Sequence, residues 1–152
     1  MNPSSLSVLP NAKLWKRLFA IIYDTLILMA VAMAYGAAVT AVQVALNGAP
    51  EPGTRAEMGP LGFAGLVILL IAMCSFFWRH RGGQTLGMKA WRLRLIDNNG
   101  AAPSWGQCIA RCLLGPIMLG LAGVGYWYSL LDKESRCIHD ILSGTRMVQL
   151  PK

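Results

Sequence analysis

Three long apolar stretches dominate the chain, and they differ in what interrupts them. Residues 18–46 hold one charged side chain, Asp24, whereas residues 59–78 (GPLGFAGLVILLIAMCSFFW) and 112–131 (CLLGPIMLGLAGVGYWYSLL) hold none. About 20 apolar residues in helical form cross a bilayer core, so the first two predict full transmembrane helices. The third has the length, but Gly115-Pro116 and the later Gly120, Gly123 and Gly125 predict a broken or re-entrant segment instead. Irregular backbone at that depth needs protein or water around it, so a polar niche is expected beside the break.

The period changes between the second and third stretches. From Ala90 to Ile96, Trp91, Leu93 and Leu95 alternate with Arg92 and Arg94, and Asp97 to Gly100 (DNNG) is a turn signal. This predicts a short strand at the membrane surface. A second candidate, residues 145–150 (TRMVQL), pairs with it if both lie on one side; two unpaired basic loops are the alternative. The fold class is therefore an all-α membrane protein with two full spans, a broken third segment and a small two-stranded element at the cytoplasmic surface. One membrane domain, residues 12–150, follows a flexible N-terminal segment, residues 1–11.

Composition agrees with that class: 55% of the 152 residues are hydrophobic and only 14% charged. The net charge of +7 raises nucleic acid as a partner, but the positions of the charges argue for the membrane. Lys13, Lys16 and Arg17 precede the first span, and Arg79, Arg81, Lys89, Arg92 and Arg94 follow the second, while Arg55 stands alone between them. By the positive-inside rule the N-terminus and the loop after residue 78 face the cytoplasm, in contact with anionic headgroups and not nucleic acid. Lys13 to Ala34 has the outline of a signal peptide. The run continues to Leu46 and contains Asp24, so it reads as a retained helix.

Two apparent chemical motifs fail on inspection. The stretch Gly82 to Lys89 (GGQTLGMK) resembles a phosphate-binding loop, but Met88 stands where the lysine is needed and no Ser or Thr follows Lys89. Its glycines serve a tight chain reversal instead. Cys108, Cys112, Cys137 and His139 form a conceivable zinc set without any paired C-x-x-C spacing, so no metal and no cofactor are expected. Cys74 is an apolar filler in a span. There is no Ser-His-Asp or H-E-x-x-H pattern, and the chain is not expected to be an enzyme.

Arg17 with Asp24, then GQTLGMKAWRLRLID from Gly83 to Asp97, then Arg111, and finally HDILSGTRMV from His139 to Val148 together resemble the RDD family of membrane proteins. The resemblance implies that the family's arginine and two aspartates are Arg17, Asp24 and Asp140. It also gives functional weight to the loop residues Gly83, Gln84, Thr85, Gly87 and Lys89. The family is described as bacterial integral membrane proteins for which transport of unidentified ligands has been suggested. The short third stretch leaves little room for a complete transporter in one chain, which makes a homo-oligomer attractive.

Asp24 is the focus of the functional reading. Arg17 lies seven residues away on nearly the same helix face, about 10 Å along the axis, and is expected to reach the headgroups. Asp24 then needs another partner, for which Arg111 and His139 are the candidates. An intramembrane carboxylate is by default a functional site, which predicts movement of a small ion or solute with Asp24 as the protonatable group. The alternative is a non-catalytic assembly protein in which Asp24, Arg111 and Asp140 only clasp helices together.

Overall fold

The computed structural model describes residues 6–49, 57–121 and 123–151. Arg55, the basic residue expected between the spans, lies outside them. Two helices carry the apolar runs: α1 (Leu14–Asn47) and α2 (Gly59–His80), the latter opening on a proline and closing on Arg79 and His80, which suit the negative end of its dipole. Both are long and apolar enough to cross a membrane. Their most apolar windows are almost bare, 0% and 6% buried, so these faces are left to lipid or to other helices.

The chain then turns through Gly82 and Gly83 into the short helix α3 (Leu86–Ala90) and the strand β1 (Leu93–Asp97). Gly83 has φ +74, and a Cβ there would overlap the Leu95 carbonyl oxygen, so the expected chain reversal requires this glycine. β1 pairs antiparallel with β2 (Thr145–Gln149), with Leu95 opposite Met147 and Asp97 opposite Thr145. The two predicted strands therefore do meet, which places the loop after α2 and the tail on one side.

Both faces of this ribbon are covered. Leu93, Leu95 and Met147 pack with Ala12, Ala20 and Met88 against α1 and α3, joined by Trp78 and Trp91. The alternation put Arg92 and Arg94 on the opposite face. There Ile96 and Val148 are buried under Leu6, with Leu9 and Leu150 alongside. Residues 6–11, expected as a flexible lead-in, are tied down here: Asn11 bridges to Val148 and the Gln149 N–H donates to the Pro10 carbonyl at 3.0 Å.

The third apolar stretch is bent, as expected, at the later glycines and not at Gly115-Pro116. Ser104 and Gln107 form a capping box at the start of α4 (Trp105–Gly120), which continues through Gly115 and Pro116. The break falls after Leu121, where Gly123 at φ +72 opens α5 (Val124–Leu131), and the two helices meet at 91°. A proline removes one hydrogen bond, which neighbouring structure can absorb, whereas a left-handed glycine redirects the chain outright. α6 (Ile138–Ser143) follows and packs against α4 before Gly144 turns the chain into β2.

Candidate functional site

Asp140 sits at the third position of α6, fully buried, and its carboxylate is surrounded by donors from three separate parts of the chain. Oδ2 accepts from Arg17 Nη1 and from the Cys137 backbone N–H at 3.2 Å, which caps the helix. Oδ1 accepts from Arg111 Nη1 at 2.5 Å, and that nitrogen also donates to Thr145 Oγ1 at 3.0 Å. Burial alone would raise this carboxyl, but the guanidiniums of Arg111 and Arg17 outweigh it and hold Asp140 well below the usual carboxylate range.

Arg17 was expected to reach the headgroups, and that expectation is corrected: the side chain is 1% exposed and points into the protein. Besides Asp140 it donates from Nε to the Ala12 carbonyl at 2.9 Å, from Nη1 to Cys137 Sγ at 3.2 Å and from Nη2 to the Ser135 carbonyl at 3.3 Å. The planar fork fits this set of acceptors as a lysine ammonium cannot. Arg111 in turn lies 5.8 Å from the Trp78 ring centroid.

His139 lies beside the clasp without joining it as a charge. Its Nε2 is 3.6 Å from Asp140 Oδ1, its ring packs 4.6 Å from that of Tyr126, and its buried Nδ1 has no partner among the described residues. Burial first and the Arg111 guanidinium second push its pKa down to about 4, so the imidazole is neutral at ordinary pH. Ser143 Oγ donates to the His139 carbonyl at 2.6 Å and lies 2.7 Å from Thr145 Oγ1. These groups form a buried polar cluster against α4 and beside Tyr126 of α5.

Asp24 is in a different place and has different partners. Neither Arg111 nor His139 meets it, which corrects the expected pairing. Its Oδ2 accepts from the Thr85 hydroxyl at 2.5 Å and its Oδ1 from the Gly87 N–H at 2.8 Å. Thr85 Oγ1 itself caps α3, accepting from the Met88 N–H at 3.3 Å. Gly87 lets α3 lie directly on α1: a Cβ would overlap the Ala20 carbonyl oxygen and fall 2.8 Å from the Asp24 carboxyl carbon. Among the described residues Asp24 forms no ion pair.

The loop motif thus divides. Thr85 and Gly87 hold Asp24, Gly83 makes the reversal, Gln84 donates from Nε2 to the Leu93 carbonyl at 2.7 Å, and Lys89 lies in the last turn of α3 without a recorded partner role in either cluster. The roles of Thr145, Cys137 and Trp78 around Asp140 were missed by sequence reasoning. For Thr145 and Cys137 the closeness to His139-Asp140 was a usable signal; for Trp78 there was none.

A metal ion is poorly served. Cys137, His139 and Asp140 offer ligand atoms within 4.8 Å of one another, but both carboxylate oxygens and the thiol already accept from guanidiniums, whose charges oppose a cation. The four-residue set weighed from the sequence is not assembled: Cys137 and His139 come together with Asp140, without Cys108 or Cys112.

Neither the curated proteins nor the solved structures compared with this chain gave a match. A family model does match, over residues 11–144, a range that contains Arg17, Asp24, Arg111 and Asp140. With two apolar helices, a bent pair and the arginine and aspartates in place, the chain belongs to the RDD family of membrane proteins.

Proposed function

We propose that this protein takes part in moving a small ion or solute across the membrane, with Asp24 as the group that gains and loses the proton. The observation that carries this reading is the contrast between the two aspartates. Asp140 is neutralised by two guanidiniums and has no reason to change its charge. Asp24, half-buried in an apolar span, accepts two hydrogen bonds and has no cation beside it among the described residues. Only the second kind of carboxylate can exchange a proton or bind a cation without breaking the fold.

The working unit is a homo-oligomer in this reading, because the bare faces of α1 and α2 in one copy do not enclose a path. In this reading the N-terminus lies in the cytoplasm at a bacterial inner membrane, which the basic residues at the start of α1 and after α2 support. The reading is non-enzymatic: both oxygens of Asp140 are held by arginines, so His139 lacks the free carboxylate that would orient it as a base.

A specific observation also supports the second reading, a non-catalytic assembly protein. Arg17, Arg111 and Asp140 satisfy one another and fix α1, α4 and α6 together, as a helix clasp would. Flux into liposomes holding the purified protein separates the two. Movement of a monovalent cation driven by a pH gradient supports transport, and its absence across a panel of cations and small solutes supports assembly.

A further inference from the structure

Away from both aspartates, the N-terminal end of α1, the turn between α3 and β1 and the end of β2 enclose an open groove of about 380 Å³. Its walls include Trp15, Lys16, Trp91, Arg92 and Gln149. The aromatic wall is built: Trp91 stacks on Phe19 at 5.0 Å with 20° between the planes and meets Trp15 edge-on at 5.5 Å. Lys16 Nζ stands 5.4 Å above the Trp15 ring. Among the described residues the lining carries two cations and no carboxylate.

Arg92 is exposed and has φ +55, a conformation uncommon for a residue with a side chain. The turn is fixed there because its carbonyl accepts from the Leu150 N–H at 2.8 Å and from Gln149 Nε2 at 3.2 Å. The second cation of the groove is therefore held on an ordered turn.

The setting identifies the occupant. With 34 residues α1 is about 51 Å long, against a hydrocarbon core of roughly 30 Å, so its ends stand among headgroups. Trp and Lys at such an end mark the boundary between hydrocarbon and water. From the groove, Phe19, Ile22, Leu26, Met29 and Met33 descend at helical spacing, all exposed. A ligand with an anionic head and an apolar tail matches both parts.

We propose that this groove binds one anionic phospholipid, its phosphodiester between Lys16 and Arg92 and an acyl chain along the α1 stripe. A quaternary ammonium headgroup is disfavoured even though the wall is aromatic, because Lys16 already occupies the Trp15 face and Arg92 adds a second repelling charge. The site lies outside the Asp24 and Asp140 clusters and does not depend on a transport role.

The test is titration of delipidated protein in detergent with short-chain phosphatidylglycerol, phosphatidylcholine and inorganic phosphate, read by native mass spectrometry. One phosphatidylglycerol should bind, about tenfold more tightly than phosphatidylcholine, and millimolar inorganic phosphate should not displace it. Lys16→Gln with Arg92→Gly should weaken it about thirtyfold, glycine being suited to the backbone at position 92. Lys16→Arg, which keeps the charge, should bind as the native protein does. Equal affinity for the two lipids, native affinity in the double variant, or displacement by free phosphate would overturn the proposal. If the double variant does not fold, the lipid preference of the native protein decides alone.

Discussion

Arg17 and Asp140, 123 residues apart in the chain, form a buried ion pair that joins the start of the first span to the helix before the last strand. Arg111 reaches the other carboxylate oxygen, so one negative charge serves two arginines drawn from opposite ends of the sequence. Removing one member of such a buried set leaves charges without partners, which costs more than the set itself contributes.

Asp140→Asn keeps the shape and removes the charge. It should lower stability in detergent by about 3–5 kcal/mol, seen as a fall in the thermal unfolding midpoint. Adding Arg111→Leu should cost less than the sum of the single losses, because one stranded cation disappears. Strictly additive losses would mean that the two side chains do not act together.

The pairing of β1 with β2, and of Asn11 with Val148, sets a topological requirement. Reporters after Arg94 and at the C-terminus should read the same side of the membrane, and one near residue 53 the opposite side. The charge distribution leads us to expect that the shared side is the cytoplasmic one. A C-terminal reporter on the side of residue 53 would turn the bent pair into a full crossing and separate the strands.

Gly87→Ala tests the contact between α3 and α1. The added methyl must push against the Ala20 carbonyl, which is backbone and cannot step aside, and against the Asp24 carboxylate. A loss of about 1–3 kcal/mol is expected, as for other overpacked contacts. A neutral result would show that α3 does not rest on α1.

Acid should destabilise the protein through His139 before Asp140 responds. The folded chain keeps this imidazole neutral down to about 4, whereas the unfolded chain takes the proton near 6.5. In that window the unfolded state binds more protons, so stability falls as pH drops, by about 3 kcal/mol in all. Asp140 is ionised in both states there. Its depressed carboxyl begins to cost stability only as pH falls below the ordinary carboxylate value, where the unfolded chain is protonated first. His139→Gln should flatten the decline in the thermal midpoint between pH 6.5 and 4.5, and an unchanged slope in that variant would assign the decline to another group.

Most of the fold is legible because the patterns are local. Apolar length marks α1 and α2, alternation marks β1, and the tail segment 145–150 offers itself as its partner β2. Among the breakers in the third stretch Pro116 is the strongest local signal, yet α4 tolerates it, while the chain redirects at Gly123. The coverage of Ile96 and Val148 by Leu6 was invisible for a different reason: a short apolar group near the N-terminus has no periodicity to announce where it docks.

The site was half legible. The sequence groups Arg17, Asp24, Arg111, His139 and Asp140 as polar residues in an apolar chain; the fold gathers four of them and sets Asp24 apart, because residue type does not assign partners across long separations. Asp24 was matched to a cation by charge. The fold instead gives it the Thr85 hydroxyl and the Gly87 N–H, both within a motif already singled out for its glycines. Hydrogen bonds to a backbone N–H in the first turn of a helix leave no trace in composition, and only the close approach that Gly87 allows makes this one possible.

The central claim is that Asp24 carries the charge change of transport, and Asp24→Asn tests it most directly. An asparagine can still accept from the Gly87 N–H and bond with Thr85, so expression and oligomeric state should match the native protein. The measurement is cation flux driven by a pH gradient in liposomes containing native or Asp24→Asn protein. Flux in the native protein and its loss in the variant is the predicted result; equal flux in both, or none from the native protein, would contradict the claim.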